Sequence, residues 1–147
     1  MQVIVLDTGP LGILTNPNLP PETIACNQWL QARIAAGRRI IVPEIADYEL
    51  RRELLRARKR RGLTRLDHLI EQLEYLPIST RAMRQAAHFW AEARQQGQPT
   101  ASDNSIDGDM ILVAQTETLE EPAIVIATTN VNHLSRFVPA EIWQNIS

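Results

Sequence analysis

Cysteine is almost missing from this chain: its 147 residues contain one, Cys26. One thiol excludes an intramolecular disulfide framework, so a reducing cytoplasm is the expected compartment. No apolar run approaches the roughly 18 residues that span a bilayer, and no membrane partner is expected. The opening MQVIVLDTGPLG lacks a basic segment and meets Asp7 too early for a secretory signal. Lysine is equally scarce, with Lys59 alone. A phosphoacceptor receiver domain wants an acidic pair after its first strand and a lysine at a late strand end. Asp7-Thr8-Gly9 and Lys59 supply neither. There is no Ser/His/Asp or Cys/His spacing, so no protein nucleophile is evident. Low-complexity tracts are absent, and an ordinary hydrophobic content of 44% excludes disorder. The length fits one domain, residues 1–147, able to bury a core of its own.

The formal net charge of −2 hides an uneven distribution. Residues 1–32 and 95–135 have no Lys or Arg. Seven of the fifteen basic residues crowd into positions 51–61 (RRELLRARKRR) against a single Glu53, a local charge of +6 that leaves −8 for the rest. Arg51, Arg52, Arg56, Lys59 and Arg60 fall at helical offsets, forming a broad basic stripe. Phosphate contact, a protein partner and a solvated face all remain open for it, with arginine favouring forked bonds to phosphate or carboxylate. No aromatic interleaves the run, so base stacking is not expected there.

Val3–Leu6 (VIVL) reads as a buried strand ending in a tight turn at Asp7-Thr8-Gly9-Pro10. Pro20-Pro21-Glu22 opens a helix that Gly37 stops. A second strand at 39–43 leads into a long helix over 43–61, closed by Gly62. Thr64 is placed to N-cap the next helix, whose stripe is Leu66, Leu69, Ile70 and Leu73. A short strand at 75–78 precedes a helix capped by Ser79 or Thr80, with Met83, Ala86, Ala87, Trp90 and Ala93 inward. Residues 98–105 read as a polar loop, 107–118 as a helix, 123–129 as a strand, and 142–146 as an edge strand. Strands made of continuous Ile/Val runs and alternating with helices predict a single three-layer α/β/α domain around a parallel sheet.

Ligands of open parallel sheets bind beyond the carboxyl ends of the strands. Asp7 ends the first strand, Glu49 lies in the opening turns of the helix leaving the second, Asp109 starts the helix before the fourth, and Asn130 closes that strand. Three carboxylates and an amide therefore converge on one rim, where like charges repel. A divalent cation resolves the conflict, and oxygen ligands without His or Cys select Mg²⁺ or Mn²⁺. Each acid also has a plainer role: Asp7 as a helix cap, Glu49 as a solvated helix residue, Asp107 and Asp109 as partners of a helix dipole.

Val5-Leu6-Asp7-Thr8, the segment around Tyr48-Glu49-Leu50, Asp107-Gly108-Asp109-Met110-Ile111 and Thr128-Thr129-Asn130 stand in the order and spacing of PIN-domain nucleases. Together they resemble the toxin-type (VapC-like) members of that family over most of the chain. The resemblance implies a PIN-like fold and a metal-dependent endoribonuclease that hydrolyses RNA by metal-activated water. It implies a small antitoxin as partner and a homodimer. Asp7, Glu49 and Asp109 match the metal-binding carboxylates, and Asn130 takes the fourth catalytic position, where many members have Asp. Asp107 is a further metal ligand in this reading, compensating for the neutral Asn130, and His133 a surface or packing residue. The alternative is a degenerate PIN-type module that binds RNA or protein without cleaving.

Overall fold

The computed structural model describes residues 2–96, 103–131 and 134–147, apart from the side chains of 103–106. Among them five strands form one wholly parallel sheet in the order β3-β2-β1-β4-β5, flanked by six α-helices. The strands are β1 (Val3–Leu6), β2 (Ile40–Pro43), β3 (Glu74–Leu76), β4 (Ile124–Thr128) and β5 (Ala140–Ile142). The helices are α1 (Thr8–Leu14), α2 (Pro21–Ala35), α3 (Glu44–Arg56), α4 (Arg60–Gln72), α5 (Thr80–Gln95) and α6 (Asp103–Thr118).

The VIVL run is buried on both faces, and its side chains alternate between two cores. Val3 and Val5 pack with Ala82, Ala86 and Phe89 of α5 and with Met110 and Val113 of α6. Ile4 and Leu6 pack with Leu11 of α1, Cys26 and Leu30 of α2 and Leu66 of α4. That period-two alternation makes the three layers. Cys26 is fully buried, and burial pushes its thiol up to about 12. No described helix is long and apolar enough to cross a membrane.

Six expectations are corrected. The helix expected over 43–61 is two helices: α3 stops at Arg56, Arg58 takes a left-handed φ of 56°, and α4 begins at Arg60. The amides of Arg58 and Lys59 turn back to the carbonyls of Leu55 and Leu54 at 3.1 and 2.9 Å, the bonding of a helix-closing turn. Gly62 does not stop a helix but lies inside α4, where a Cβ would come within 3.0 Å of Leu54. Its missing side chain lets α4 fold back onto α3. Thr64 is likewise interior, its hydroxyl donating to the Arg60 carbonyl at 3.1 Å.

The buried face of α5 is Ala82, Ala86 and Phe89, with Met83 and Trp90 47% and 37% exposed. Phe89 is drawn in by an edge contact with Phe137 at 5.4 Å, while Trp90 stays outside under Arg94. Ser79 does cap α5, accepting from the Ala82 amide at 3.0 Å. At the end of the chain the edge strand is Ala140–Ile142 rather than 142–146. Trp143 folds inward against Trp29 at 5.8 Å, and Trp29 Nε1 donates to the Ile146 carbonyl at 2.8 Å. The helix expected over 107–118 begins earlier, at Asp103, and most of the loop expected before it lies outside the described residues.

Candidate functional site

The chain runs outward from β1 to β2 and β3, then returns to β4 on the other side of β1. The β1/β4 boundary is therefore the switch point of the sheet, where the loops leaving two neighbouring strands part and open a crevice. Asp7 and Thr128 stand at the carboxyl ends of these two strands and bridge the crevice. The Thr128 hydroxyl, almost fully buried, donates to Asp7 Oδ2 at 2.8 Å and itself accepts from the Asn130 amide at 3.1 Å. The Thr8 amide donates to Asp7 Oδ1 at 2.7 Å, so Asp7 also caps α1. The helix-cap role expected of this aspartate is therefore present.

Glu49 reaches the same rim from α3, accepting from the Thr8 hydroxyl at 3.1 Å. Asp109 reaches it from α6. Burial pushes the Asp7 carboxyl above its ordinary range, against the pull of the two hydrogen bonds. Glu49 is also raised, chiefly by burial and further by Asp7, while Thr8 and Arg52 act to lower it. Asp109 is pushed up to about 6 by burial and by the charges of Asp7 and Glu49. Each of the three is half-buried, and two feel the others' charge.

The rim is an excess of negative charge with hard oxygen donors, which fits Mg²⁺ or Mn²⁺. As the side chains stand, no three acids among the described residues close into a ready-made cage.

Asn130 lies two residues beyond the end of β4 with its side chain exposed, and its backbone N–H bonds Thr128. Asp107 lies on the exposed surface of α6 and lines a shallow groove with Met83, Trp90 and Ile111. The charges raising Asp109 are those of Asp7 and Glu49. His133 and the side chain of Asp103 lie outside the described residues.

The basic stripe divides. Arg51 bonds Asp47 at 3.0 Å and Asp67 at 2.8 Å, tying α3 to α4. Arg52 stands 3.9 Å from Glu49 and over the Tyr48 ring, at the rim itself. Arg56 pairs with Glu53 at 2.8 Å. Lys59 and Arg60 project from the α3–α4 turn and are exposed.

Two residues that hold the site together escape a reading by sequence pattern. Gln115 is fully buried in α6, its Oε1 accepting from the Ile45 amide at 3.2 Å and its Nε2 donating to the Leu76 carbonyl at 2.8 Å. It fixes α6, which carries Asp109, to the start of α3, which carries Glu49. Its one signal is a lone amide following the apolar run MILVA. Gly108 lies against Glu49: a Cβ there would fall 2.6 Å from Glu49 Oε2. A glycine inside a helical pattern is the corresponding signal.

No protein-family model and no curated protein matches this sequence. Solved structures do match over nearly its full length. VapBC2 from Rickettsia felis, bound to a DNA fragment from their promoter, has a TM-score of 0.74 at 17% identity, over 96% of this chain and 98% of that one. VapBC-1 from nontypeable Haemophilus influenzae has a TM-score of 0.71 at 16% identity, over 99% and 100%. FitAcB from Neisseria gonorrhoeae has a TM-score of 0.69 at 18% identity, over 98% and 100%. The likeness shows the fold, which is the PIN-like α/β architecture implied by the sequence motifs.

Proposed function

We propose that this chain is a divalent-metal-dependent endoribonuclease, acting as the toxin of a toxin–antitoxin pair. The observation that carries the enzymatic reading is the meeting of Asp7, Glu49 and Asp109, from β1, α3 and α6, on one half-buried rim at the switch point. The toxin reading rests on the sequence motifs and on the fold shared with VapBC structures. A small antitoxin protein and a second copy of the chain are the partners proposed with it.

Asp7, Glu49 and Asp109 would hold Mg²⁺ or Mn²⁺, which when bound supplies activation of water and charge screening of the scissile phosphodiester. Thr128 and the Thr8 amide fix the plane of Asp7, and the Thr8 hydroxyl orients Glu49. Both carboxylates thus present set lone pairs without reorganising. Asn130, at the fourth position, contributes only its backbone N–H to the Asp7–Thr128 bridge, and its side chain adds no charge. Arg52 brings a guanidinium to the edge of the acidic rim, where it offsets the charge of an approaching phosphate. The absence of a candidate protein nucleophile agrees with direct attack by water.

Cleavage of mixed structured RNAs with Mn²⁺ or Mg²⁺ tests this reading. Wild type should cleave, EDTA should stop it, and Asp7→Asn should lack activity. Equal cleavage by wild type and variant in EDTA would refute the metal mechanism. An inactive wild type with every metal would favour a non-catalytic binding module, a reading to which the neutral, exposed Asn130 lends support. Co-expression with a small reading frame beside the gene should block cleavage if its product is the antitoxin.

A further inference from the structure

A groove of about 690 Å³ lies between the end of α1 with residues 15–18 and the last turns of α3, with Glu53 as the acid in its lining. It begins at Leu50, the residue after Glu49, and closes on the α3–α4 turn. Along α3 that is a rise of about 12 Å from Glu49 to the turn. The turn contributes Arg58, Lys59, Arg60 and Arg61 to the lining, four consecutive cations with no acid among them.

Arg51 and Arg56 are occupied by Asp47, Asp67 and Glu53, and Arg52 by Glu49 and Tyr48. Arg58, Lys59 and Arg60 are exposed, and among the described residues none has a carboxylate in ion-pair distance. Arg61 donates to the Pro17 carbonyl at 3.3 Å, linking the turn to the opposite wall. The left-handed Arg58 is what reverses the chain and keeps these side chains together at one end of the groove instead of along one helix face. Four adjacent like charges repel one another and call for an anionic occupant.

We propose that this groove holds the backbone of the RNA strand beside the bond to be cleaved, with Arg58, Lys59 and Arg60 on its phosphates. The inference rests on the RNA reading above and narrows it, moving the grip from the stripe on α3 to the α3–α4 turn. A polyanion lying there would run along α3 toward Leu50, the groove residue next in sequence to Glu49. Cations without interleaved aromatics recognise backbone and not bases, so the grip is independent of sequence.

The test measures fluorescence anisotropy of a labelled single-stranded RNA in EDTA, so that binding is read without cleavage. The double variant Arg58→Asn, Arg60→Gln is used because asparagine tolerates the left-handed backbone. Its RNA affinity should fall about tenfold, and the slope of log affinity against log salt should flatten by about 1.4, two contacts at ~0.7 each. Arg51→Ala, at a cation already paired, should bind as wild type does. A matching thermal midpoint for the double variant shows that its fold is kept; Lys59→Gln, expected to flatten the slope by about 0.7, provides a second reading. Unchanged RNA affinity and slope in both variants would overturn the groove as an RNA seat. So would a variant that loses only polyglutamate binding, which would assign the groove to an acidic protein. Metal-dependent cleavage with unaltered binding would refute the groove alone, whereas RNA binding without any cleavage would refute the nuclease reading and leave the groove.

Discussion

Asp109 receives the least help of the three rim carboxylates. Asp7 has two donors and Glu49 one, whereas Asp109 faces burial and two like charges, and its carboxyl rises to about 6. The sign follows from the direction. Below about pH 4 the group is protonated folded and unfolded, and nothing is lost. Between about 4 and 6 the unfolded chain ionises first, so the metal-free fold loses stability as pH rises, and above about 6 the loss is constant. Asp109→Asn should therefore raise the stability of the metal-free protein at pH 8 by about 1 kcal/mol, after solvent screening, with no gain at pH 3.5. Denaturant unfolding at the two pH values checks this; an equal gain at both would show that charge is not the cause. Gly108→Ala belongs beside it: a methyl 2.6 Å from Glu49 Oε2 must displace that carboxylate. Mn²⁺ affinity by calorimetry should fall at least about tenfold, with the fold kept, because a ligand moved by about 1 Å forfeits much of its bond. Unaltered affinity would remove Glu49 from the site.

Among the elements, α3 and α6 decide whether the site exists, and Gln115 is their clamp. Gln115→Leu strands the Ile45 amide and the Leu76 carbonyl and should cost about 2–4 kcal/mol in chemical denaturation. A cost below about 0.5 kcal/mol would mean the amide is dispensable. Arg51→Ala should lower stability by about 0.5–1 kcal/mol through its bonds across α3 and α4 and leave RNA affinity alone. The three central strands β1, β2 and β4 and the positions of Asp7, Glu49 and Asp109 were legible in the sequence, because buried parallel strands are near-continuous Val/Ile runs and their ends locate the rim, whereas the edge strands β3 (EYL) and β5 (AEI) carry no such run. The break at Arg58 was not. The charge pattern continues through ARKRR without glycine or proline, and a left-handed arginine gives no local sign of itself. The inward face of α5 was misread for a related reason: Met83 and Trp90 are as apolar as Phe89, and only the contact with Phe137 selects among them. Close approaches such as Gly108 against Glu49 depend on how two distant helices meet, which periodicity does not encode.

For the molecule as a whole, the net charge of −2 is a cancellation in space as well as in sequence. A β3-β2-β1-β4-β5 order brings Asp7, Glu49 and Asp109 to one crevice, and the turn after α3 collects cations at the end of a groove along that helix. In the proposed function, the basic seat would draw a polyanion in, and a divalent ion would stand between it and the acidic centre. The whole account turns on that ion. Cleavage of a structured RNA pool, titrated with Mn²⁺ for wild type and Asp109→Asn under the same conditions, measures it directly. The account predicts cleavage that rises and saturates with Mn²⁺ in wild type, is abolished by EDTA, and falls by at least about a hundredfold in the variant. Cleavage that is indifferent to Mn²⁺, or equal in the two proteins, would contradict it.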